Sequence, residues 1–176
     1  RIIACPGCYP TAALLALLPL VKASVIATDN IILNAISGVS GAGRALKQNT
    51  LFCEAGEGFS PYAIGSHRHT PEIEQELSRA ADKSGSDTIG IGEIEITFTP
   101  HLVPMSRGEL ITCYLTLKEG TSHDDARAAM QKACEGEPFV HLVPKGVTPG
   151  TQHVRGSNHC LIGMFKGKVK NQLIVV

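Results

Sequence analysis

Residues 12–21, AALLALLPLV, are the most apolar stretch of this chain, and they end at Lys22. Ten residues are about half of the roughly 20 that a bilayer span requires, so the stretch reads as a buried helix rather than a membrane anchor. Ala and Leu dominate it, and the spacing predicts a helix over Thr11–Val21, entered just after Cys8 and Pro10. That places Cys8 near a helix N-terminus. The chain's 176 residues are 43% hydrophobic, enough for one globular domain with a real core, and sixteen Lys+Arg balance sixteen Asp+Glu. A net charge of zero argues against nucleic acid and acidic membrane as partners and points to small molecules or proteins. The chain opens on Arg1, without an initiator Met or a cleavable leader pattern, and is read as a piece of a longer polypeptide.

Six cysteines (Cys5, Cys8, Cys53, Cys113, Cys134 and Cys160) are too sparse for a disulfide scaffold, so a reducing cytoplasm is the expected setting. Structural zinc is not expected, because Cys5 and Cys8 have no second closely spaced pair to complete four ligands. Along the chain, 30–37 (NIILNAIS) reads as a buried strand running into the glycine-rich loop SGVSGAGR, Ser37 to Arg44, whose amides are expected to be free to face a ligand. Thr70-Pro71-Glu72 starts a second helix, with Thr70 as its cap and an end near Lys83; Ser84 to Gly92 is a polar connector. Ile94, Ile96 and Phe98 alternate with Glu95, Thr97 and Thr99 as a strand, which is expected to pair with a second strand over Leu110–Leu117. Ser122 and Asp125 form a capping box before a third helix, Ala126–Cys134. Short strands are then predicted at Phe139–Val143, His153–Arg155, Cys160–Phe165 and Leu173–Val176, with a hairpin connection over Lys166–Asn171. Helices mixed with runs of consecutive strands give an α+β fold, a mixed and largely antiparallel sheet covered by helices.

Cys8 is the sharpest chemical candidate, since a helix N-terminus favours a thiolate and the thiolate is the nucleophile. The imidazoles of His67-Arg68-His69 could supply its acid/base partner. The plain alternative is a core thiol and a surface imidazole. Cys5-Pro-Gly-Cys8 also fits a redox pair between a strand and a helix, so thiol–disulfide exchange stays open as a rival. SGVSGAGR lacks the Lys-Ser/Thr of a phosphate-binding Walker loop and the spacing of a dinucleotide GxGxxG. Arg44 and Arg107 could each grip an anion, although a lone loop arginine is most often a solvated charge. Glu72 either orients a neighbouring His or simply favours its helix terminus.

Five blocks in order, CPGCYPTAALLAL (Cys5 to Leu17), SGVSGAGR, SHRHTPEIEQEL (Ser66 to Leu77), FTPHLVPMSRGEL (Phe98 to Leu110) and VRGSNHCLIG (Val154 to Gly163), resemble the N-acetyl-gamma-glutamyl-phosphate reductase family. The resemblance implies an NADPH-dependent enzyme of arginine biosynthesis whose Cys8 attacks an acyl phosphate to form a thioester. It implies His67 as acid/base, and His69, Glu72, Arg44 and Arg107 as substrate-binding or orienting groups. Ser37 and Gly38 are expected beside the nicotinamide of NADP, and no metal is expected. The fold implied is that of the glyceraldehyde-3-phosphate dehydrogenase-like C-terminal domain. Residues 1–176 are then one catalytic and oligomerisation domain, with the family's NADP-binding Rossmann domain and its C-terminal return segment outside this chain. Its partners are expected to be an acyl phosphate, that cofactor domain and a second or further copies of itself, and the domain alone is not expected to turn over. One departure stands out: Cys5 occupies a position that is commonly Asn in the family. A second thiol beside the nucleophile leads to the expectation of an inactivating Cys5–Cys8 disulfide under oxidation.

Overall fold

The computed structural model describes residues 2–82 and 94–176. A six-stranded sheet runs in the order β2-β3-β1-β4-β8-β7, and a separate two-stranded sheet joins β5 to β6. β1 (Ile31–Ser37) is the centre of the large sheet, parallel to β3 (Ile96–Leu102) and antiparallel to β4 (Glu109–Thr116). The short β2 (Ser60–Pro61) edges β3. β8 (Gln172–Val175) continues the sheet beyond β4, and β7 (Met164–Lys166) closes it, both antiparallel. The α+β class and the largely antiparallel sheet are as expected.

Alternation decides which face is covered. In β1, Ile31, Leu33 and Ala35 are buried, while Ile32, Asn34 and Ile36 are not. Against the buried face pack α1 (Cys8–Lys22), which also touches α3 (Thr70–Ala81) and α4 (His123–Cys134). Leu17 and Leu20 of α1, Leu33 of β1, Ile73 and Leu77 of α3 and Met130 of α4 are fully buried in one core. A short helical turn, α2 (Phe52–Ala55), lies in the connection between β1 and β2.

Helix α1 starts earlier than its apolar run, at Cys8, because Gly7 is extended and its carbonyl accepts both the Thr11 amide (3.0 Å) and the Thr11 hydroxyl (2.8 Å). Thr70 is the first residue of α3 rather than its cap; His69 holds the cap position with no side-chain capping bond, and Pro71 stands where a missing N–H costs nothing. The expected helix end at Lys83 and the connector Ser84 to Gly92 lie outside the described residues. The Ser122–Asp125 capping box is present in full.

Three strand expectations change. β3 and β4 do not pair: β1 lies between them, because segment 103–108 crosses over the end of β1 instead of turning tightly. That crossing is held by the Val103 amide on the Ser37 carbonyl (3.1 Å) and by the Gly38, Val39 and Ser40 amides on the carbonyls of Gly108, Met105 and Ser106 (3.0, 2.9 and 3.1 Å). His153–Arg155 is not a strand; Thr151–His153 is a 3-10 turn closed by His153 N–H on the Gly150 carbonyl, with Gly150 N–H donating to His153 Nδ1. Cys160–Phe165 divides at Gly163: β6 (Cys160–Ile162) pairs in parallel with β5 (Val140–Leu142), whereas β7 joins the large sheet. A Cβ at Gly163 would come within 2.7 Å of Pro149 and 2.9 Å of the Phe165 ring, so only glycine makes this sheet change. The expected hairpin connection between β7 and β8 is present but spans 167–171, since Lys166 itself belongs to β7 and pairs with Leu173.

Candidate active site

Cys8 is the first residue of α1 and is exposed. The backbone N–H groups of Tyr9 and Cys8 favour the thiolate, as a helix start should. They are outweighed. Partial burial pushes the Cys8 thiol up from its ordinary value, and the carboxylate of Glu109 pushes it further, so the expected net thiolate stabilisation is corrected.

Gly7, just before Cys8, is pinned by α3. Its N–H donates to Glu72 Oε1 (3.1 Å), and the His69 ring lies so close that a Cβ at residue 7 would be 2.6 Å from His69 Nε2. Glu72 therefore holds the stretch of chain leading into Cys8. His69 is buried at 8% exposure, and its Nδ1 has no hydrogen-bond partner among the described residues.

His67 stands in an aromatic nest, 5.7 Å from the Tyr9 ring, 5.5 Å from Tyr62, 5.3 Å from Phe98 and 4.8 Å from His69, all edge-on. Its Nδ1 accepts from the His69 amide (3.2 Å), which leaves the proton of the neutral ring on Nε2. Burial, then His69 and Arg68, lower its pKa, so it is neutral at pH 7. The Tyr62 hydroxyl donates to the Tyr9 hydroxyl (3.2 Å), and burial drives the Tyr9 phenol far up, fixing it as a neutral donor.

Two cavities meet at Cys8. A polar one of about 300 Å³ is lined by Cys8, Tyr9, Ser37, Tyr62, His67 and His69, with Lys47 and Arg68 as its cations. An apolar one of about 500 Å³ is lined by Cys8, Ala12 and Leu15 of α1, by Glu109 and by Phe139, Val140 and His159. Of the residues expected at the site, Cys8, His67, His69 and Ser37 share the polar cavity, and Glu72 supports it from behind. Arg44 and Arg107 are exposed and do not line it. Gly38 is packed beneath the 105–107 backbone, where a Cβ would meet the Met105 carbonyl at 2.8 Å and the Arg107 amide at 2.9 Å. The amides of Gly38, Val39, Ser40, Gly41 and Gly43 are all bonded to backbone carbonyls, so the glycine-rich loop does not offer a free anion nest, contrary to expectation. Gly38 and Gly41 serve close packing, whereas Gly43 takes a left-handed φ of 79° in open space. Cys5 is exposed in an irregular segment with no strand before the helix, and both Cys5 and Cys8 are free thiols.

Sequence reasoning missed Tyr9, Tyr62, Lys47, Arg68 and Glu109. Arg68 lay between two singled-out histidines; Glu109 was legible only as a charged residue opening an otherwise apolar strand. Among the described residues no group of three or more metal-ligating side chains occurs, and no helix is long and apolar enough to cross a membrane.

Comparison with known proteins agrees with this architecture. The chain is 48% identical over 175 residues to N-acetyl-gamma-glutamyl-phosphate reductase of Rhodospirillum rubrum, covering 99% of this chain and 47% of that protein. It is 50% identical over 163 residues to the protein of the same name from Moorella thermoacetica, covering 93% and 44%. The chain thus spans about half the length of the curated relatives it matches. In fold it is similar to aspartate semialdehyde dehydrogenase II from Vibrio cholerae (18% identity, TM-score 0.67, 99% of this chain and 56% of that one). It is likewise similar to the Candida albicans aspartate semialdehyde dehydrogenase solved with NADP (17% identity, TM-score 0.63, 99% and 52%). The family described as semialdehyde dehydrogenase, dimerisation domain, matches residues 8–176, and this chain belongs to it.

Proposed function

We propose that this chain is the catalytic and oligomerisation domain of an NADPH-dependent reductase that converts N-acetyl-glutamyl 5-phosphate to the 5-semialdehyde in arginine biosynthesis. The observation that carries the proposal is Cys8 at a helix start facing the same polar cavity as His67, with Lys47 and Arg68 on its walls. Sulfur is both a good nucleophile and a good leaving group, so a Cys8 thioester divides one hard displacement into two easier steps. Lys47 and Arg68 attract the phosphate and carboxylate of the substrate; Arg44, between the lining residues Ala42 and Lys47, and Arg107 add positive charge outside the cavity.

His67 is the acid/base at oxygen. Its Nε2–H is the group free to donate to the oxygen that gains charge as Cys8 attacks, and the Nδ1 bond to the His69 amide keeps the ring in that tautomer. Glu72 and His69 position the Gly7–Cys8 turn. NADPH, when bound, supplies the hydride that reduces the thioester carbonyl. Ser37 fits the nicotinamide end, since its side chain lines the cavity together with Cys8, while Gly38 acts by letting the 105–107 backbone pack close. The remaining cofactor contacts belong to a Rossmann domain outside this chain.

Self-association is proposed through the uncovered sheet face. The register aligns Ile32, Tyr114, Ile174 and Phe165 in one row across β1, β4, β8 and β7, none of them fully buried. An apolar row on the face opposite the helices suits a second copy of the same sheet.

Incubation with N-acetyl-γ-glutamyl phosphate, followed by peptide mass spectrometry, is expected to find an N-acetylglutamyl group on Cys8 with one phosphate released per thiol. No adduct on Cys8, or a reversible Cys5–Cys8 disulfide as its only chemistry, would overturn the reading.

A further inference from the structure

Cys8 touches one group that the reading above leaves without a task. Glu109 opens β4, where its register partner is Ser37 of β1, and it lines the same apolar cavity as Cys8, close enough for its charge to bear on the thiol. It lines the apolar cavity, whereas His67 lines the polar one. His67 is poorly placed to take the thiol proton: Nδ1 already accepts from the His69 amide, and in the neutral ring Nε2 carries a proton and has no free lone pair.

We infer that Glu109 is the general base that takes the Cys8 thiol proton as sulfur attacks, an inference that rests on the acyl-phosphate reading. The S–C bond forms while the C–O bond to phosphate breaks. The thiol proton passes to the Glu109 carboxylate and, through solvent, to the departing phosphate, which leaves as hydrogen phosphate. Glu109 ends the step ionised, as it began. Burial raises the carboxyl to about 7, which places its proton affinity near working pH, where a base is most effective. The titratable groups around it are Cys8, Tyr9, Tyr62 and Cys160, with His159 lining the same cavity. Division of labour follows: a carboxylate takes the proton from sulfur on the apolar side, and an imidazole N–H stabilises oxygen on the polar side.

The test compares the protein with its Glu109→Gln variant in two measurements between pH 6 and pH 9. One is alkylation of Cys8 by iodoacetamide, followed by peptide mass spectrometry. The other is first-turnover phosphate release from N-acetyl-γ-glutamyl phosphate. A base at residue 109 predicts opposite responses: Glu109→Gln alkylates faster at pH 7, because no anion faces the thiolate, yet is acylated on the order of 10²-fold more slowly. Acylation as fast as in the unsubstituted protein, or faster, would mean that Glu109 only repels the thiolate, and would overturn the inference. Unchanged alkylation would show that the carboxylate does not bear on the sulfur and would also overturn it. If the unsubstituted protein alkylates at Cys8 but is never acylated, the acyl-phosphate reading fails, and this inference falls with it.

Discussion

The two walls around Cys8 differ in almost every physical respect. On one side Tyr9, Tyr62, His67 and His69 pack edge-on, with Lys47 and Arg68 at their margin, so donors and positive charge face the sulfur. On the other, Ala12, Leu15, Phe139 and Val140 form an apolar wall in which Glu109 bears on the sulfur. Each wall also shifts its own titratable group in a different direction: burial and neighbouring positive groups lower His67, whereas burial raises Glu109. One sulfur between a polar and an apolar wall is given a hydrogen-bond donor on one side and a proton acceptor on the other, without either group carrying a full permanent charge at neutral pH.

Removing what the walls share should have the largest effect. Cys8→Ser keeps the shape but substitutes a hydroxyl of far higher pKa, and acylation is expected to fall by about 10⁴-fold or more; phosphate release in the first turnover measures it. Removing one wall's donor comes next. His67→Gln is expected to lower the acylation rate by about 10²–10³-fold, the usual cost of one oxyanion donor. It should leave the pH dependence of Cys8 alkylation in place, because Glu109 is untouched. A large move of that alkylation profile in His67→Gln would return the thiol's proton to the imidazole and dissolve the contrast between the walls.

How much of this contrast can be read in the sequence depends on how local its causes are. Helix α1, the strand β1 and the capping box at Ser122 are set by residues within one or two turns, and their positions are legible from periodicity and cap chemistry. Cys8 and the His67–His69 pair are legible as chemistry, and the order of five motifs makes their kinship plain. What is not legible is set at long range. That β1 separates β3 from β4 depends on hydrogen bonds between 37–40 and 103–108, some 65 residues apart. That Glu109 reaches Cys8 depends on the same crossing, since Gly108, bonded to Gly38, delivers β4 beside the start of α1. The glycines of SGVSGAGR invite a ligand-cradling interpretation because glycine answers several needs, free amides, close packing and left-handed backbone; only the neighbours show that packing is in force at Gly38 and Gly41 and a left-handed φ at Gly43.

Gly7 stands just before Cys8 against α3, and its replacement sharpens the comparison by moving the polar wall. A methyl group at residue 7 would lie 2.6 Å from His69 Nε2, and the ring cannot yield without disturbing His67, whose Nδ1 is bonded to the His69 amide. Gly7→Ala is expected to destabilise the fold by about 1–3 kcal/mol, the usual cost of overpacking. It should slow acylation as well, while Glu72→Gln, which keeps an oxygen for the Gly7 N–H, should cost much less. Chemical denaturation of the two variants beside the unsubstituted protein measures the difference. Equal stability in all three would mean that the turn before Cys8 is not held by α3.

The smallest effect is thermodynamic and belongs to the apolar wall alone. Burial raises the Glu109 carboxyl from an ordinary 4.5 to about 7 in the folded chain, so folding disfavours its ionised form. The sign follows from linkage. Below pH 4.5 the group is protonated in both states and its stabilising effect is fully present; as pH rises to about 7 the unfolded chain ionises first, and that stability is lost. Glu109→Gln cannot ionise. Its stability relative to the unsubstituted protein is therefore expected to be level at pH 4 and to rise with pH, reaching an advantage of about 1–2 kcal/mol above pH 7 once partial solvation is discounted. Urea unfolding of both proteins at several pH values measures this directly. A difference that stays flat across the range would mean that Glu109 titrates like a solvated carboxylate, and the apolar wall beside Cys8 would lose the property that distinguishes it from the polar one.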